Sequence, residues 1–349
     1  MTSESSDILS SIEYEESVEE ENEEEKKNDF YFIINEMSGG KDSKEMYTIF
    51  GSLFDASHYI PINQLRDDSI PEKNKENIIV VICGGDGTVS SSIRCLGNKF
   101  TYFILPFGTG NDLCHSLHFV PEDVLRRFHQ QPIEFITSTI VSFPKQRVDQ
   151  WKVSLATYPS SFHSFTTFQT FTNYFSIGID AAIALSFSKN REKGMSTPFI
   201  NKCRYAMSAS SALNDWCQEI HNKIILEVDG KIITLPQMDC LMFVSSTTCY
   251  GGRRLWRPEH SSSKNNKSFG EHHMDDGIIE IMYIRNIVEL ASVALGFSTP
   301  IPLMQGKDII ITIKPSVTLP IQIDGEPSEH SQTVFHLSSP SSCLFLSSF

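Results

Sequence analysis

Three stretches of the sequence repeat the same order: an apolar run, a loop rich in glycine or small polar residues, and a helical segment. The apolar runs cover residues 30–34, 78–83 and 102–105. Continuous apolar runs of this length are typical of strands buried on both faces, as in a parallel sheet. The repeat therefore predicts an open α/β sheet, in which ligands bind beyond the carboxyl ends of the strands.

The loops after the second and third runs carry the strongest chemical signal. Residues 84–88 read Gly-Gly-Asp-Gly-Thr, and residues 108–112 read Gly-Thr-Gly-Asn-Asp. Glycine lets backbone N–H groups approach a phosphate closely, and a following helix start favours an anion. Asp86 would repel a bare phosphate, so it indicates a bound Mg²⁺ or a proton to be handled. For one such loop alone, a tight turn that needs glycine for structural reasons would be an alternative to phosphate binding. The presence of a second loop of the same kind makes this alternative less favoured.

A third wall of this site is expected after the first run, where Asn35, Ser38, Gly39 and Gly40 follow residues 30–34. The hydroxyls of Thr88 and Thr109 are further donors for phosphate oxygens. No G-x-x-x-x-G-K-[ST] sequence is present, so this is not a P-loop.

The pattern changes after about residue 144. Strand-like segments with turn residues between them dominate, with one helical stretch at about 202–218. We predict an N-terminal three-layer α/β domain with a largely parallel sheet and a C-terminal β-sandwich-like domain. The expected divisions are an acidic disordered tail at 1–29, the α/β domain at 30–145 and the β-rich domain at 146–333.

Charge and cysteine usage exclude several classes of protein. Residues 1–29 hold twelve Asp or Glu and two Lys, so they supply −10 of the formal net charge of −14. The near-neutral remainder lacks the basic footprint of a nucleic-acid binder. Neither a membrane-spanning run of about 20 apolar residues nor a signal peptide is found. The eight Cys are scattered, without C-x-x-C pairs, and a cytoplasmic protein with free thiols is expected.

The motifs together resemble diacylglycerol kinases. The first domain shows Asn35-x-x-Ser38-Gly39-Gly40, residues 84–88 and Leu105-Pro106-x-Gly108-Thr109-Gly110-Asn111-Asp112-Leu113; the second shows, in the family's order, residues 173–181, Arg191-Glu192-Lys193, Asn201-Lys202, Gly251-Gly252, Trp256, Asp275-Asp276-Gly277 and residues 322–327. Gly-Gly-Asp-Gly-Thr alone also occurs in NAD kinases, whereas the remaining elements favour the lipid kinases. Three departures stand out: Glu36 replaces the family's proline, Ser328 replaces a frequent tryptophan, and no cysteine-rich zinc module is present.

This resemblance implies transfer of the ATP γ-phosphate to diacylglycerol, which gives phosphatidate, ends signalling through protein kinase C and supplies phospholipid metabolism. A related lipid kinase acting on sphingosine, ceramide or monoacylglycerol is the near alternative; NAD kinase and a catalytically inactive binding protein are more distant. The residues expected to bind ATP are Asn35, Ser38, Gly39, Gly40, Gly84, Gly85, Gly87, Thr88, Gly108, Thr109, Gly110 and Asn111.

The acidic residues receive roles from the same resemblance. Asp86 and Asp112 would hold Mg²⁺, with Asp149 as a third ligand or only a hinge hydrogen bond. Asp324 is the expected general base, with Glu326 beside it, because positions i and i+2 of an extended segment share a face. An Asp-Gly turn with a solvated glutamate is the alternative. Asp276 could belong to a second, structural cation site or to a plain turn.

A peripheral position at membranes is expected, because the substrate is a lipid. Two groups of side chains are candidates for contact with an anionic lipid surface. The first group is Lys189, Arg191 and Lys193, which could equally form a solvated helix face. The second group is Arg253, Arg254 and Trp256, which joins arginines to an interfacial aromatic residue. We also expect residues 334–349 to pack back on the first domain.

Overall fold

The computed structural model describes residues 28–37, 46–49, 51, 53–157, 165–191, 217–258 and 269–348. Several predictions concern residues outside these ranges. They are the acidic tail as far as residue 27, the loop residues Ser38, Gly39 and Gly40, Lys193, and the helical stretch at 202–218 apart from its last two residues.

Within the described ranges, bounds are defined for sixteen strands and seven α-helices, and residues 46–49 are helical as well. The strands are β1 Asp29–Ile34, β2 Tyr59–Pro61, β3 Ile78–Gly84, β4 Thr101–Pro106, β5 Lys145–Thr157, β6 Thr166–Phe171, β7 Tyr174–Gly178, β8 Ile224–Val228, β9 Lys231–Ile233, β10 Cys240–Val244, β11 Ile279–Ile284, β12 Ile301–Gly306, β13 Ile309–Ile313, β14 Thr318–Ile323, β15 Glu326–Ser331 and β16 Thr333–Leu346. The helices are α1 Asp86–Leu96, α2 Asp112–Ser116, α3 Pro121–Gln130, α4 Pro132–Glu134, α5 Ile179–Arg191, α6 Ile220–Lys223 and α7 Ile287–Leu295.

The N-terminal half is built on parallel strands in the order β2-β1-β3-β4. Every residue of β3 and β4 is buried, because helices and loops cover both faces of the sheet. The predicted parallel sheet is therefore confirmed. Its strands β1, β3 and β4 all end at the same edge, where the loops with the predicted ligand residues begin.

The C-terminal half contains two sheets that face each other. One is the six-stranded antiparallel sheet β12-β11-β10-β7-β14-β15, and the other is formed by β5, β6, β8, β9, β13 and β16. Trp151 from the second sheet and Phe175 and Phe243 from the first belong to one buried apolar cluster. This shared core confirms the predicted sandwich-like arrangement.

Strand β16 joins the two halves. Its end pairs in parallel with β4, where Leu344 lies opposite Thr101 and Phe345 opposite Tyr102. Along its length it also pairs with β5 and β13 in antiparallel register. The parallel sheet and one sheet of the sandwich are consequently a single ten-stranded sheet.

No helix in the described ranges is both long enough and apolar enough to span a bilayer.

The junction at β16 supports a first prediction. Phe345 is fully buried, and its ring lies 5.4 Å from that of Tyr102. Replacing Phe345 with alanine should lower the free energy of unfolding by about 3–5 kcal/mol, the usual cost of emptying a buried phenylalanine site. Urea unfolding would measure the loss. Ile232→Ala is the matched control, because Ile232 is 75% exposed and its truncation should cost less than about 0.5 kcal/mol.

Candidate active site

Two glycines bring the loops after β3 and β4 into direct contact. A Cβ atom on Gly108 would lie 2.3 Å from the Cα of Gly85, and one on Gly85 would lie 2.8 Å from the Cα of Gly108. No side chain fits between these backbones, so the sequence must have glycine on both sides. The contact sets the two predicted phosphate-binding loops side by side.

The loop after β1 reaches the same point through Asn35. Its side-chain amide donates to the Thr88 hydroxyl at 2.8 Å, and its backbone N–H donates to the Cys83 carbonyl at 3.2 Å. Thr88 lies in the first turn of α1, which starts immediately after Gly85. The structure therefore brings together the three loops that the sequence predicts to bind ATP, as far as they are described.

Asn111 supplies a buried acceptor at this junction. It has a left-handed backbone conformation (φ 51°), which asparagine adopts more readily than most residues. Its side-chain amide donates to the carbonyl of Gly108 at 3.0 Å. Its Oδ1 atom is buried and accepts no hydrogen bond from the described residues. A ligand or water with a donor group would satisfy this oxygen.

Two carboxylates face the end of the third loop, that of Asp112 buried and that of Asp86 half-buried. The Asp86 Oδ1 atom accepts a hydrogen bond from the Leu113 N–H at 3.3 Å, and the Asp112 Oδ1 atom accepts from Gly251 and Gly252 at 2.7 and 3.0 Å. Burial raises the pKa of both carboxyls above the usual value, and the negative charge of Asp112 raises the pKa of Asp86 further. A cation would relieve this repulsion.

The remaining oxygens of these carboxylates form a small cradle beside Gly110. A Cβ atom on Gly110 would lie 2.9 Å from the Oδ2 atom of Asp86 and 3.8 Å from that of Asp112. Within the described ranges, no three Asp, Glu, His or Cys side chains are placed to hold a metal together. Two carboxylates suit Mg²⁺, which keeps several waters and takes substrate phosphates as its other ligands. The residues present therefore fit this ion.

Asp324 lies at the contact between the two halves, where it is buried. Its carboxylate accepts hydrogen bonds from the N–H groups of Thr172, Asn173 and Tyr174 at 2.9–3.0 Å. The Ser90 hydroxyl on α1 donates a fourth, at 2.8 Å. Burial raises the pKa of Asp324, while these four donors oppose the rise. The side chain thereby ties α1 to the break between β6 and β7.

The prediction that Asp324 and Glu326 lie on the same face of an extended segment is wrong. Asp324 and Gly325 both have positive φ, 48° and 83°, and form the two-residue turn of the β14–β15 hairpin. The chain reverses there instead of staying extended, so Glu326 lies across from Ile323. Its carboxylate is partly exposed and pairs with Arg94 at 3.2 Å. Asp-Gly is a strong signal for this turn, and that signal outweighs the alternation of an extended strand.

The Asp149 carboxylate lies beside the turn that carries Asp276. The Asp149 carboxylate accepts a hydrogen bond from the Gly277 N–H at 2.7 Å, and burial followed by the charges of Asp276 and Asp275 raises its pKa. The Asp276 carboxylate accepts from the Ile278 N–H at 2.9 Å, within its own exposed turn. No interaction joins Asp149 to Asp86 or Asp112 among the contacts of the described residues.

The residues predicted to touch a membrane have different surroundings. Arg254 is exposed and Arg253 is half-buried. Trp256 is only 7% exposed; its indole N–H donates to the Gly270 carbonyl at 3.2 Å, and its ring packs against Phe269. Trp256 is therefore a packing residue, and its expected role at the membrane surface is wrong. Lys189 and Arg191 lie on the last turn of α5.

Sequence reasoning missed the partners of Asp324. Thr172 and Asn173 supply two of its donors, and their own side-chain oxygens Oγ1 and Oδ1 are buried without a partner in the described structure. Ser90 supplies another donor from α1. The sequence signal for these donors is Thr-Asn inside an apolar segment, a pair that favours turns.

Family comparisons agree with this geometry. A model described as "Diacylglycerol kinase catalytic domain" matches residues 29–138, and one described as "Diacylglycerol kinase accessory domain" matches residues 170–327. The two matches together cover well over half of the chain. The chain belongs to the diacylglycerol kinase family.

Individual diacylglycerol kinases show the same relationship. Diacylglycerol kinase 2 of Arabidopsis thaliana is 30% identical over 265 residues, which are 71% of this chain and 36% of that protein. Diacylglycerol kinase theta of Mus musculus is 26% identical over 319 residues, which are 84% of this chain and 32% of that protein. The chain thus spans only about a third of the length of these two relatives.

A crystal structure of a diacylglycerol kinase from Bacillus anthracis has the same fold. Its TM-score is 0.52 at 15% identity, and the match covers 92% of this chain and 97% of that one. The structural match extends across both halves of the diacylglycerol kinase architecture described above.

The raised carboxyl pKa values predict how stability changes with pH. The folded state binds protons on Asp86 and Asp112 more tightly than the unfolded state, where an aspartate ionises near pH 3.9. This contribution to stability is greatest below that pH and is lost as pH rises through the higher folded pKa values.

Mg²⁺ should restore stability at pH 8 and not at pH 5, which melting curves with and without the ion would show. Asp86→Asn should reduce both effects; an unchanged Mg²⁺ response would contradict the assignment.

The Gly110 cradle can be tested by filling it. Gly110→Ala places a methyl group 2.9 Å from the Asp86 Oδ2 atom, and we expect it to remove most of the Mg²⁺-dependent rise in melting temperature. Gly87→Ala is the matched control, because a Cβ there meets no atom within 4 Å. A full Mg²⁺ response in Gly110→Ala, or an equal loss in Gly87→Ala, would show that the ion binds elsewhere.

Proposed function

We propose that this chain is an ATP- and Mg²⁺-dependent kinase that phosphorylates diacylglycerol to phosphatidate. The observation that carries the proposal is the meeting of three loops at one sheet edge. There Gly85 lies against Gly108, the Asn35 amide donates to Thr88, and the carboxylates of Asp86 and Asp112 lie beside Gly110. Family membership supports the lipid acceptor, because both domains of diacylglycerol kinases are matched. The expected setting is the surface of a membrane that contains diacylglycerol.

ATP would lie along the loops that follow β1, β3 and β4. Backbone N–H groups at Gly85 and Gly108 and the start of α1 suit its phosphates, because they place partial positive charge without side-chain bulk. Bound Mg²⁺ would neutralise charge on the β- and γ-phosphates. Asp86 and Asp112 would hold it with their Oδ2 atoms, since backbone N–H groups already occupy both Oδ1 atoms.

In the transfer itself, the free hydroxyl oxygen of diacylglycerol bonds to the γ-phosphorus and the bond to the β–γ bridging oxygen breaks. ADP leaves, and the hydroxyl proton must go to an acceptor. Asp324 is our proposal for that acceptor, because burial raises its pKa towards the range of a useful base. All four of its acceptor positions are filled, so the Ser90 hydroxyl must first turn away.

A labelled-ATP assay tests the activity. Wild-type protein would be given ATP labelled at the γ-phosphate, Mg²⁺, and mixed micelles that contain diacylglycerol, sphingosine, ceramide or monoacylglycerol in separate reactions. Label in phosphatidate supports the proposal. Label confined to another lipid would overturn the choice of substrate and keep a lipid kinase. No label in any lipid would overturn the proposed activity.

The role of Asp324 predicts a difference between two variants. Asp324→Asn should lower kcat by about 10²–10⁴-fold, the usual contribution of a general base, with little change in the KM for ATP. Ser90→Ala removes one donor to the same carboxylate, which should cost about 1.5–3 kcal/mol of stability and keep kcat within about threefold. Equal losses of kcat in the two variants would show that Asp324 acts only through its hydrogen bonds.

A further inference from the structure

An apolar ridge projects from α7 on the C-terminal half. Val288 and Leu295 are 67% and 37% exposed, and Phe297, just beyond the end of the helix, is 83% exposed. Val288 and Leu295 are seven residues apart, so they lie on the same side of the helix. The opposite side, with Leu290, Ala291, Val293 and Ala294, is buried.

Capping interactions fix both ends of α7, so the side chains of the ridge have a defined position. The Asn286 side chain caps the first turn by accepting from Val288 and Glu289 at 3.1 and 3.0 Å. The helix ends at Gly296, which has φ 83°. Because the chain turns there, Phe297 stands outside the helix with its ring in solvent.

A cation lies at the base of the ridge. The Arg253 guanidinium fills the space that a Cβ atom on Gly296 would occupy. No carboxylate of the described residues forms an ion pair with Arg253, whereas Arg285, near the other end of α7, is paired with Glu289 at 3.1 Å. A guanidinium without an ion-pair partner in the described part of the chain, beside exposed apolar groups, is suited to an anionic lipid surface, where each arginine contributes about 1 kcal/mol to binding.

The loop that carries Arg253 also reaches the candidate active site. Cys249 and Arg253 are joined by two backbone hydrogen bonds of 2.9 Å, and between them Gly251 and Gly252 donate to the Asp112 carboxylate. One five-residue loop therefore spans the distance from the carboxylate pair to the end of α7. The same loop therefore contacts both the candidate active site and the base of the ridge.

From these contacts we infer that the ridge of Val288, Leu295 and Phe297, with Arg253 at its base, inserts into the interface of an anionic bilayer. This inference rests on the proposed function, which requires a substrate that resides in a bilayer. Three projecting side chains are too few for a stable protein interface, which buries about 1,200 Å² or more in total. They are enough to anchor a protein that approaches lipid, because each apolar side chain contributes separately on entering the acyl boundary.

Vesicle sedimentation tests the ridge without reference to activity. The full chain would be mixed with sucrose-loaded vesicles of phosphatidylcholine alone or with 30 mol% phosphatidylserine. We expect Val288→Ser/Leu295→Ser/Phe297→Ser to lower the partition coefficient on the anionic vesicles by about tenfold or more. Arg253→Gln should reduce the preference for phosphatidylserine. Ile232→Ser is the matched control, because Ile232 is 75% exposed on another edge of the protein and should bind like wild type.

Two outcomes would overturn the inference: wild-type partition in the triple variant, or an equal loss in Ile232→Ser. Analytical ultracentrifugation could give a third such outcome. If wild type is a dimer and the triple variant is a monomer, the ridge is a self-association surface. Melting curves would confirm that all variants remain folded. On a short-chain diacylglycerol below its micellar concentration, the triple variant should match wild type. If wild type phosphorylates no lipid but its vesicle binding still depends on the ridge, the proposed function fails and the membrane surface stands.

Discussion

The contact between Gly85 and Gly108 is the constraint on which the site depends. Because backbone meets backbone there, the ends of β3 and β4 lie closer together than side chains would permit. Asp86 and Asp112, each at the start of a helix after one of these loops, are thereby brought together beside Gly110. The repulsion between these two carboxylates destabilises the folded state, and a divalent cation is the simplest partner that removes it.

Asp324 has a second organising role, between the two halves of the protein. A carboxylate that binds three successive N–H groups on one side and a helix hydroxyl on the other fixes the angle at which the halves meet. Arg94, one turn further along α1, adds the ion pair with Glu326. The hairpin turn at Asp324 and Gly325 thus holds α1 against the C-terminal half, so one carboxylate has a structural role beside the proposed chemical one.

Much of this arrangement could be predicted from the sequence, because it rests on local patterns. Fully apolar runs identified the parallel strands, and the glycine-rich loops identified the edge where ligands bind. The side-chain surroundings could not be predicted in the same way. The direction of Glu326 depends on a two-residue turn, and the burial of Trp256 depends on Phe269 and the Gly270 carbonyl, contacts made in three dimensions. The apolar ridge could not be predicted from the pattern, because apolar residues occupy both the buried and the exposed side of α7.

The pairing of β16 with β4 has a consequence for biosynthesis. Thr101 and Leu344 are neighbours in the sheet, although most of the chain separates them in sequence. At roughly 5–20 residues per second, a ribosome needs on the order of ten seconds or more to make the intervening segment. During that time the open edge of β4 presents unpaired backbone groups to other nascent chains. The N-terminal half therefore reaches its final form only after translation has passed the last strand, and molecular chaperones have a defined edge to protect until then.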